Sequence, residues 1–562
     1  MKHHSPSNHF KTPAAMLLNG TVRHWMIATM LLLAHAVSAQ EIADSVYWIY
    51  FTDKSDNGYS LNQPGDFLSE RSIHRRGWQG LGVDVTDEPV TRAYVDTLRA
   101  MGVEVRHTSR WLNGVAMGHT SRELFEQVLE RPFTDTVPWK PAIDEIHFPP
   151  LPVGQRFEPP LLSPVAYDYG VATEQVQQVK TDVLHRAGYT GAGVRIAVLD
   201  AGFKNVDSLP SFEPMIREGR LLGTRNFVND SDVYRLVSGH GMSVLSIIGA
   251  HWEGEMMGTA PHASYFLCTT ENIHQETRIE EIAWIEAAEY MDSLGYDLFN
   301  TSLGYSDFDG TGYDYSYRDM DGQTTFISRA ASMLADKGIV SCHSAGNSGD
   351  NLWYRITAPA DASNILTVGA VDSTGIITDF SSRGPSWDGR VKPEVVAMGR
   401  ATGIQHGSGG VARGSGTSYS SPVIAGSAAS LWQAYPDMPA RELIYRIRDS
   451  GDRLDNPDAT YGYGLPRFSR AYWQISKIRE REAHQLLEFY PNPAQSNIQI
   501  RIPVAEAGVF KLTIYDMSGR EAGVQQVTLP GEVILPGGLH PGIYIMEVVS
   551  GSTVFRNQII IE

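Results

Sequence analysis

Three observations predict an α/β protein with a small α+β unit before it and a β-sandwich behind it. Between residues 195 and 371, short apolar runs at 195–200, 264–269, 298–303, 339–344 and 365–371 alternate with helical stretches at 241–249, 278–292 and 324–337. Uniformly apolar runs of that length mark parallel strands buried on both faces, and the alternation lays helices over both sides of the sheet. Upstream, residues 45–136 mix strand and helix patterns. Downstream, alternating runs at 498–502, 510–515, 542–549 and 554–561 are separated by Gly, Asp and Ser turns, as in a small sandwich.

Taken in order, the chain of 562 residues divides into five parts. Arg23 and His24 precede a short apolar core ending in Val37-Ser38-Ala39, so residues 1–39 read as a secretory signal peptide. No later stretch is long and apolar enough to span a bilayer. Residues 40–137 form the mixed unit: strand, helix, strand, strand, helix, strand, the order of a ferredoxin-like fold. A polar segment at 55–89 interrupts it, and Arg75-Arg76 there reads as surface charge. Eight prolines between 138 and 164 make 138–166 an extended linker. The α/β domain occupies 167–476 and the sandwich 486–562. The formal net charge of −18 argues against nucleic acid or an anionic membrane as partner. Only Cys268 and Cys342 occur, both within buried-strand patterns, so two unpaired core thiols are expected.

One stretch stands out chemically. Gly414-Ser415-Gly416-Thr417-Ser418 turns sharply through its glycines, and the small residues after it form a helix slim enough to be buried all round, with Pro422 expected in its first turn. Ser418 then sits at a helix N-terminus, where free N–H groups face developing negative charge. Three other sequences fall at strand or helix ends: Asp200 closing a strand, His240 between glycines opening a helix, and Asn347 after Ala345-Gly346. Singly, each is an ordinary cap or loop residue. Together they supply what acyl transfer from an amide needs. A serine hydroxyl requires a base, histidine can take and return the proton, and a carboxylate fixes the imidazole tautomer. The oxyanion needs donors, which the Asn347 amide and the Ser418 N–H offer.

The order Asp, His, Asn, Ser in these surroundings resembles the subtilisin-like serine peptidases (subtilases, peptidase family S8). Asn300-Thr301-Ser302-Leu303-Gly304, Thr367-Val368-Gly369-Ala370-Val371-Asp372 and Phe380-Ser381-Ser382-Arg383-Gly384-Pro385 are similar to segments of that family, as is Tyr461-Gly462-Tyr463-Gly464. The resemblance implies a subtilisin-like parallel-sheet domain with Asp200 orienting, His240 as base and acid, Ser418 as nucleophile and Asn347 as oxyanion donor. It further implies that Ser302, Leu303 and Gly304 bind an extended substrate backbone, and that they and Ser344, Ala345 and Gly346 wall the pocket for the residue before the cut. Departures are Met242, Ala201 and Met398, where the family places a smaller residue, a hydroxyl residue and proline. Thr357 stands near the usual floor glycine, which predicts a shallower pocket.

The first unit resembles the family's inhibitory pro-domains, and the tail, opening on Tyr490-Pro491-Asn492-Pro493-Ala494, resembles the sorting domains of the type IX secretion system in Bacteroidetes. The expectation is a monomeric pro-enzyme, secreted or attached to the cell surface, with protein or peptide substrates and the type IX machinery as partners. No cofactor is required for the chemistry and no metal ligand is assigned. Asp307, Asp309, Asp314, Asp319 and Asp321 could hold a structural calcium, but loop and helix-cap roles are favoured. The alternative is a catalytically silent scaffold acting as a surface binding protein.

Overall fold

The computed structural model describes residues 47–118, 120–138, 167–309 and 314–475, and in the tail 488–490, 494, 497–501, 508–516, 520–529, 531–536, 539–550 and 553–561. The signal segment and the linker beyond residue 138 lie outside them.

The first unit builds one antiparallel sheet from β1 (Tyr47–Phe51), β2 (Glu104–Ser109), β3 (Gly114–Gly118) and β4 (Thr134–Asp135), in the order β2-β3-β1-β4. Side chains alternate across a strand, and here both faces of β1 are used. Ile49 and Phe51 pack with Val95 and Leu98 of α2 (Arg92–Ala100) and Val128 of α3 (Arg122–Leu129). Trp48 and Tyr50 face the other way and share a core with Ile282 and Ile285 of the central domain.

The 55–89 segment folds into a further helix, α1 (Glu70–Trp78), capped by the Ser69 hydroxyl. Arg75 and Arg76 on it are not surface charge: they are 0% and 1% exposed. Arg75 meets Asp292 at 2.5 Å and gives a second bond to the Tyr296 carbonyl, while Arg76 lies between Asp87 at 2.8 Å and Asp292 at 3.0 Å. Arg110 reaches Asp292 too, at 2.8 Å. A carboxylate contributed by the central domain makes burial of two arginines tolerable, since buried charge must be paired.

The central domain is a seven-stranded, wholly parallel sheet. Its strands are β5 (Arg195–Asp200), β6 (Leu221–Asn226), β7 (Ser264–Thr269), β8 (Leu298–Thr301), β9 (Val340–Ser344), β10 (Leu366–Val371) and β11 (Val395–Met398). They lie in the order β6-β7-β5-β8-β9-β10-β11. One face is covered by α4 (His240–Gly249) and by α7 (Thr417–Ala434), whose side chains belong to one core cluster; the other carries α5 (Arg278–Ser293) and α6 (Phe326–Met333), which share a second core with the first unit. A hairpin, β12 (Thr402–Gln405) and β13 (Val411–Gly414), leads into α7. Cys268 and Cys342 are buried and unpaired, and burial pushes both thiols well up.

The tail forms two sheets over one core, with Ile498, Ile500 and Val533 from one and Leu512, Ile514, Met546 and Val548 from the other. Among the described residues, no helix is long and apolar enough to cross a membrane.

Candidate active site

In an open α/β sheet, functional groups gather beyond the carboxyl ends of the strands, at the point where the strand order reverses. Here that point is β5, with β7 on one side and β8 on the other. Asp200 is its last residue and is fully buried. Its Oδ1 accepts from the Ala201 N–H at 2.7 Å and lies 2.6 Å from His240 Nδ1. His240 opens α4, and the glycine after it lets helix and strand approach: a Cβ on Gly241 would come within 2.8 Å of the Asp200 Cβ. Burial disfavours the imidazolium, but the charge and hydrogen bond of Asp200 outweigh it, leaving the His240 pKa above its ordinary value. Asp200 Oδ2 is buried without a hydrogen-bond partner among the described residues. Ala201, standing where a hydroxyl residue was expected, offers it no side-chain donor.

Ser418 is the second residue of α7. The helix is capped by Gly416 at φ 156°, a backbone conformation that suits glycine. Pro422 is further inside than the sequence suggests, since α7 begins at Thr417 and the proline occupies an interior position. Lacking an N–H, it cannot bond the Ser418 carbonyl four residues back. The Ser302 hydroxyl does so instead, at 2.9 Å, and the Asn300 amide in turn donates to Ser302 at 3.1 Å. The Ser418 hydroxyl donates to the Ser302 carbonyl at 3.2 Å rather than to His240.

Asn347 follows β9. Its Oδ1 accepts the Thr417 N–H at 2.8 Å and the Thr417 hydroxyl at 3.0 Å. A backbone N–H can only donate, so the oxygen of this amide is fixed toward Thr417 and its NH2 is left to face outward. Thr417 also accepts from the Gly346 N–H at 3.2 Å. Nothing in the sequence reading singled out Thr417; its position directly before the serine was the available signal.

The two segments expected to wall the pocket lie against each other. Ser302 is buried, Leu303 half-buried and Gly304 exposed, while Ser344 and Ala345 are buried and Gly346 half-buried. The Ser344 hydroxyl donates to the Leu303 carbonyl at 3.3 Å, tying one wall to the other. On the other side of Asp200, a cavity of about 510 Å³ runs from Ala201 past Asn226, Val237, Glu271 and Ile273. Met242 is buried; its methyl lies where a Cβ on Gly239 or Gly407 would be 3.3 or 3.7 Å away, so small neighbours make room for it.

The five aspartates of 307–321 do not converge. Asp321 caps the Gln323 and Thr324 amides, Asp319 closes a capping box with Ser316, and Asp314 accepts from the Phe308 N–H. Among the described residues, the carboxylates that do gather are Glu271, Glu276 and Glu280. Burial, the first cause, together with neighbouring acids pushes Glu276 up to about 7 and Glu280 to about 8.

Residues 191–464, which carry all four singled-out residues, match the Subtilase family. That segment is a subtilase domain. Residues 46–149 match the peptidase S8 propeptide domain of Bacteroidota. Residues 488–562 match the secretion system C-terminal sorting domain, which indicates secretion and cell-surface attachment.

Among curated proteins, subtilisin-like protease SBT6.1 of Arabidopsis thaliana is 30% identical over 283 residues, 48% of this chain and 24% of that protein. The membrane-bound transcription factor site-1 protease of Homo sapiens is 30% identical over 336 residues, 57% of this chain and 28% of that protein. Subtilisin E of Bacillus subtilis (strain 168) is 28% identical over 306 residues, 54% and 71% of the respective chains. The chain thus spans about a quarter of the length of the first two. Among solved structures, the MycP3 protease from the type VII (ESX-3) secretion system aligns with a TM-score of 0.42 at 20% identity, covering 56% of this chain and 90% of that one.

Proposed function

We propose that this protein is a secreted serine endopeptidase, made as a pro-enzyme, that hydrolyses peptide bonds through Asp200, His240 and Ser418. The observation that carries this reading is the 2.6 Å contact between Asp200 and His240, whose ring lies 5.8 Å from that of Tyr419, the residue after Ser418 in the first turn of α7. Substrate backbone adds to 302–304 as an extra strand. The Ser418 Oγ attacks the scissile carbonyl carbon, and its proton passes to His240 Nε2. Asp200, holding Nδ1, keeps the tautomer that leaves Nε2 free and stabilises the imidazolium. The resulting oxyanion takes hydrogen bonds from the Asn347 amide and the Ser418 N–H. Collapse expels the amine, which receives the proton from His240, and leaves an acyl-enzyme. Water then repeats the sequence with the acyl group, releasing the acid and restoring the serine.

On this reading the first unit stays docked on α5 until maturation. Glu289 of α5 accepts from the Ser109 hydroxyl at 2.5 Å and from the Arg110 and Trp111 amides at 3.1 Å, so the central domain caps the β2–β3 turn.

The test is labelling of processed protein by a fluorophosphonate probe. Labelling is expected at Ser418 and lost in Ser418→Ala, which should also accumulate chains retaining the 46–149 unit. Absence of labelling would favour the silent surface-binding scaffold. Normal trimming of Ser418→Ala would assign maturation to another protease.

A further inference from the structure

At the end of the sheet away from Asp200, two buried nitrogens stand without partners. Arg220 directly precedes the edge strand β6, and His262 lies two residues before β7, so both mark the N-terminal ends of their strands. Asp200 closes β5, level with the last residue of β7. The six residues of β7 therefore set this cluster about 20 Å from Asp200.

The cluster is cationic. His251, in the short strand His251–Trp252, meets the His262 ring edge to face, with centroids 5.0 Å apart. The Thr190 hydroxyl lies 2.9 Å from Nδ1 of His262 and fixes that ring. Arg220 donates from Nη1 to the carbonyls of Pro261 and Ala263, at 2.8 and 3.0 Å, on either side of His262. Its Nε donates to Glu218 at 2.9 Å. Its Nη2 is buried with no hydrogen-bond partner among the described residues, and so is Nδ1 of His251.

A guanidinium N–H can only donate, and buried donors are nearly always paired, so Nη2 calls for an acceptor from outside the chain. A planar carboxylate is best taken by two parallel N–H groups of one guanidinium. Here each such fork has one arm spent, on Glu218 or on the two carbonyls. A tetrahedral oxyanion collects single bonds from several directions instead, and the two orphaned nitrogens come from separate segments. The charged and titratable groups around the histidine pair are Arg217, Glu218, Arg220, Glu253 and His185. Burial first, then the neighbouring cationic groups, holds His251 below its ordinary value and His262 down to about 4. An anion beside them favours the imidazolium.

We propose that Arg220, His251 and His262 form a binding site for one tetrahedral oxyanion, a sulfate or phosphate group. Arg220 Nη2 and the His251 Nδ1–H donate to it, tying the edge of the sheet to the hairpin at 251–257, and binding takes up a proton at the histidine pair. The site stands apart from the endopeptidase reading.

The test uses the full chain carrying Ser418→Ala and takes sulfate as probe, because its charge is constant between pH 6 and pH 8. Calorimetric titration at fixed ionic strength, with chloride as the balancing ion, should show saturable binding at least fivefold tighter at pH 6 than at pH 8. Sulfate should also raise Tm at pH 6. His251→Phe keeps a ring against His262 but lacks Nδ1; it should weaken binding at least fivefold and flatten the pH dependence. Arg220→Gln should abolish binding, whereas Arg217→Ala, which removes an exposed neighbouring cation, should stay within twofold of the parent. Inorganic phosphate and phenyl phosphate then separate two sources of the group: equal binding assigns a phosphate ester of a larger ligand, and exclusion of the ester assigns the free ion. Absence of saturable binding beyond chloride, or His251→Phe binding as tightly as the parent, overturns the inference and leaves water as the partner of both nitrogens. Should Arg220→Gln fail to fold, His251→Phe decides.

Discussion

Replacing Asp292 by asparagine tests whether the first unit is held by the charge cluster at the end of α5. The experiment is done in Ser418→Ala, so that the chain stays joined. Asp292 is fully buried and meets Arg75 at 2.5 Å, Arg110 at 2.8 Å and Arg76 at 3.0 Å. Asparagine preserves its shape but leaves the guanidinium of Arg75 buried without a counter-charge. Removing one partner of a buried pair costs about 3–5 kcal/mol. Arg76 keeps Asp87 at 2.8 Å, which places the expected loss near the lower end. That is about 3 kcal/mol, or roughly a hundredfold in the docking equilibrium. Urea unfolding at pH 7, followed by the fluorescence of Trp48 and Trp111 at the junction, measures it. An exposed pair gives the control: Arg217→Ala, opposite Glu213, should change stability by less than about half a kcal/mol.

The pH dependence sharpens the test. Burial alone would raise the Asp292 carboxyl, but Arg76, Arg75 and Arg110 outweigh it and hold it below the ordinary carboxylate range. A lowered folded pKa stabilises above the unfolded value, and the gain is lost as pH falls through the folded one. Wild type and Asp292→Asn should therefore converge in acid. A loss below about 1 kcal/mol at pH 7, or a gap that persists undiminished to the lowest pH at which both are folded, would refute the reasoning.

Three further outcomes are expected. Because Asp200 holds the His240 pKa above its ordinary value, kcat/KM should rise with pH through a midpoint above about 6.5, and Asp200→Asn should cost about 10⁴-fold in kcat. A midpoint at or below that value would contradict the pairing. Glu276, raised to about 7 by burial and by Asp307 and Asp309, destabilises the fold once pH exceeds its unfolded pKa, so Glu276→Gln should raise Tm at pH 9 and leave it unchanged at pH 4; equal shifts at both values would rule out a charge origin. Deleting residues 486–562 should retain the protein in the periplasm, read by immunoblot of cell fractions, and undiminished export would refute a sorting role for the tail.

The sheet was legible because strands buried on both faces are apolar at every position, and the strands at 195–200 and 264–269 coincide with the sequence reading. The Asp200–His240 pair was legible because both residues fall at the end of an element, with glycine within two residues of each. What escaped depends on partners distant in the chain. Arg75 and Arg76 look like solvated charge until Asp292 arrives from 217 and 216 residues away. A local hint did exist: the last turn of α5 carries Glu289 and Asp292 and no basic residue, although negative charge is unfavourable at a helix C-terminus. Such a pair advertises a cationic partner elsewhere. In the tail, Glu521–Leu529 escaped notice because most of residues 521–528 are exposed and, among them, only Val527 is buried, which leaves little alternation to detect.

The proline inside α7 has a consequence for mechanical unity. A regular helix would spend the Ser418 carbonyl on its own ladder. The break frees that carbonyl for Ser302, whose own carbonyl takes the Ser418 hydroxyl. Two reciprocal bonds thus rivet the first turn of α7 to the residue after β8, joining the proposed nucleophile to the edge proposed to receive substrate.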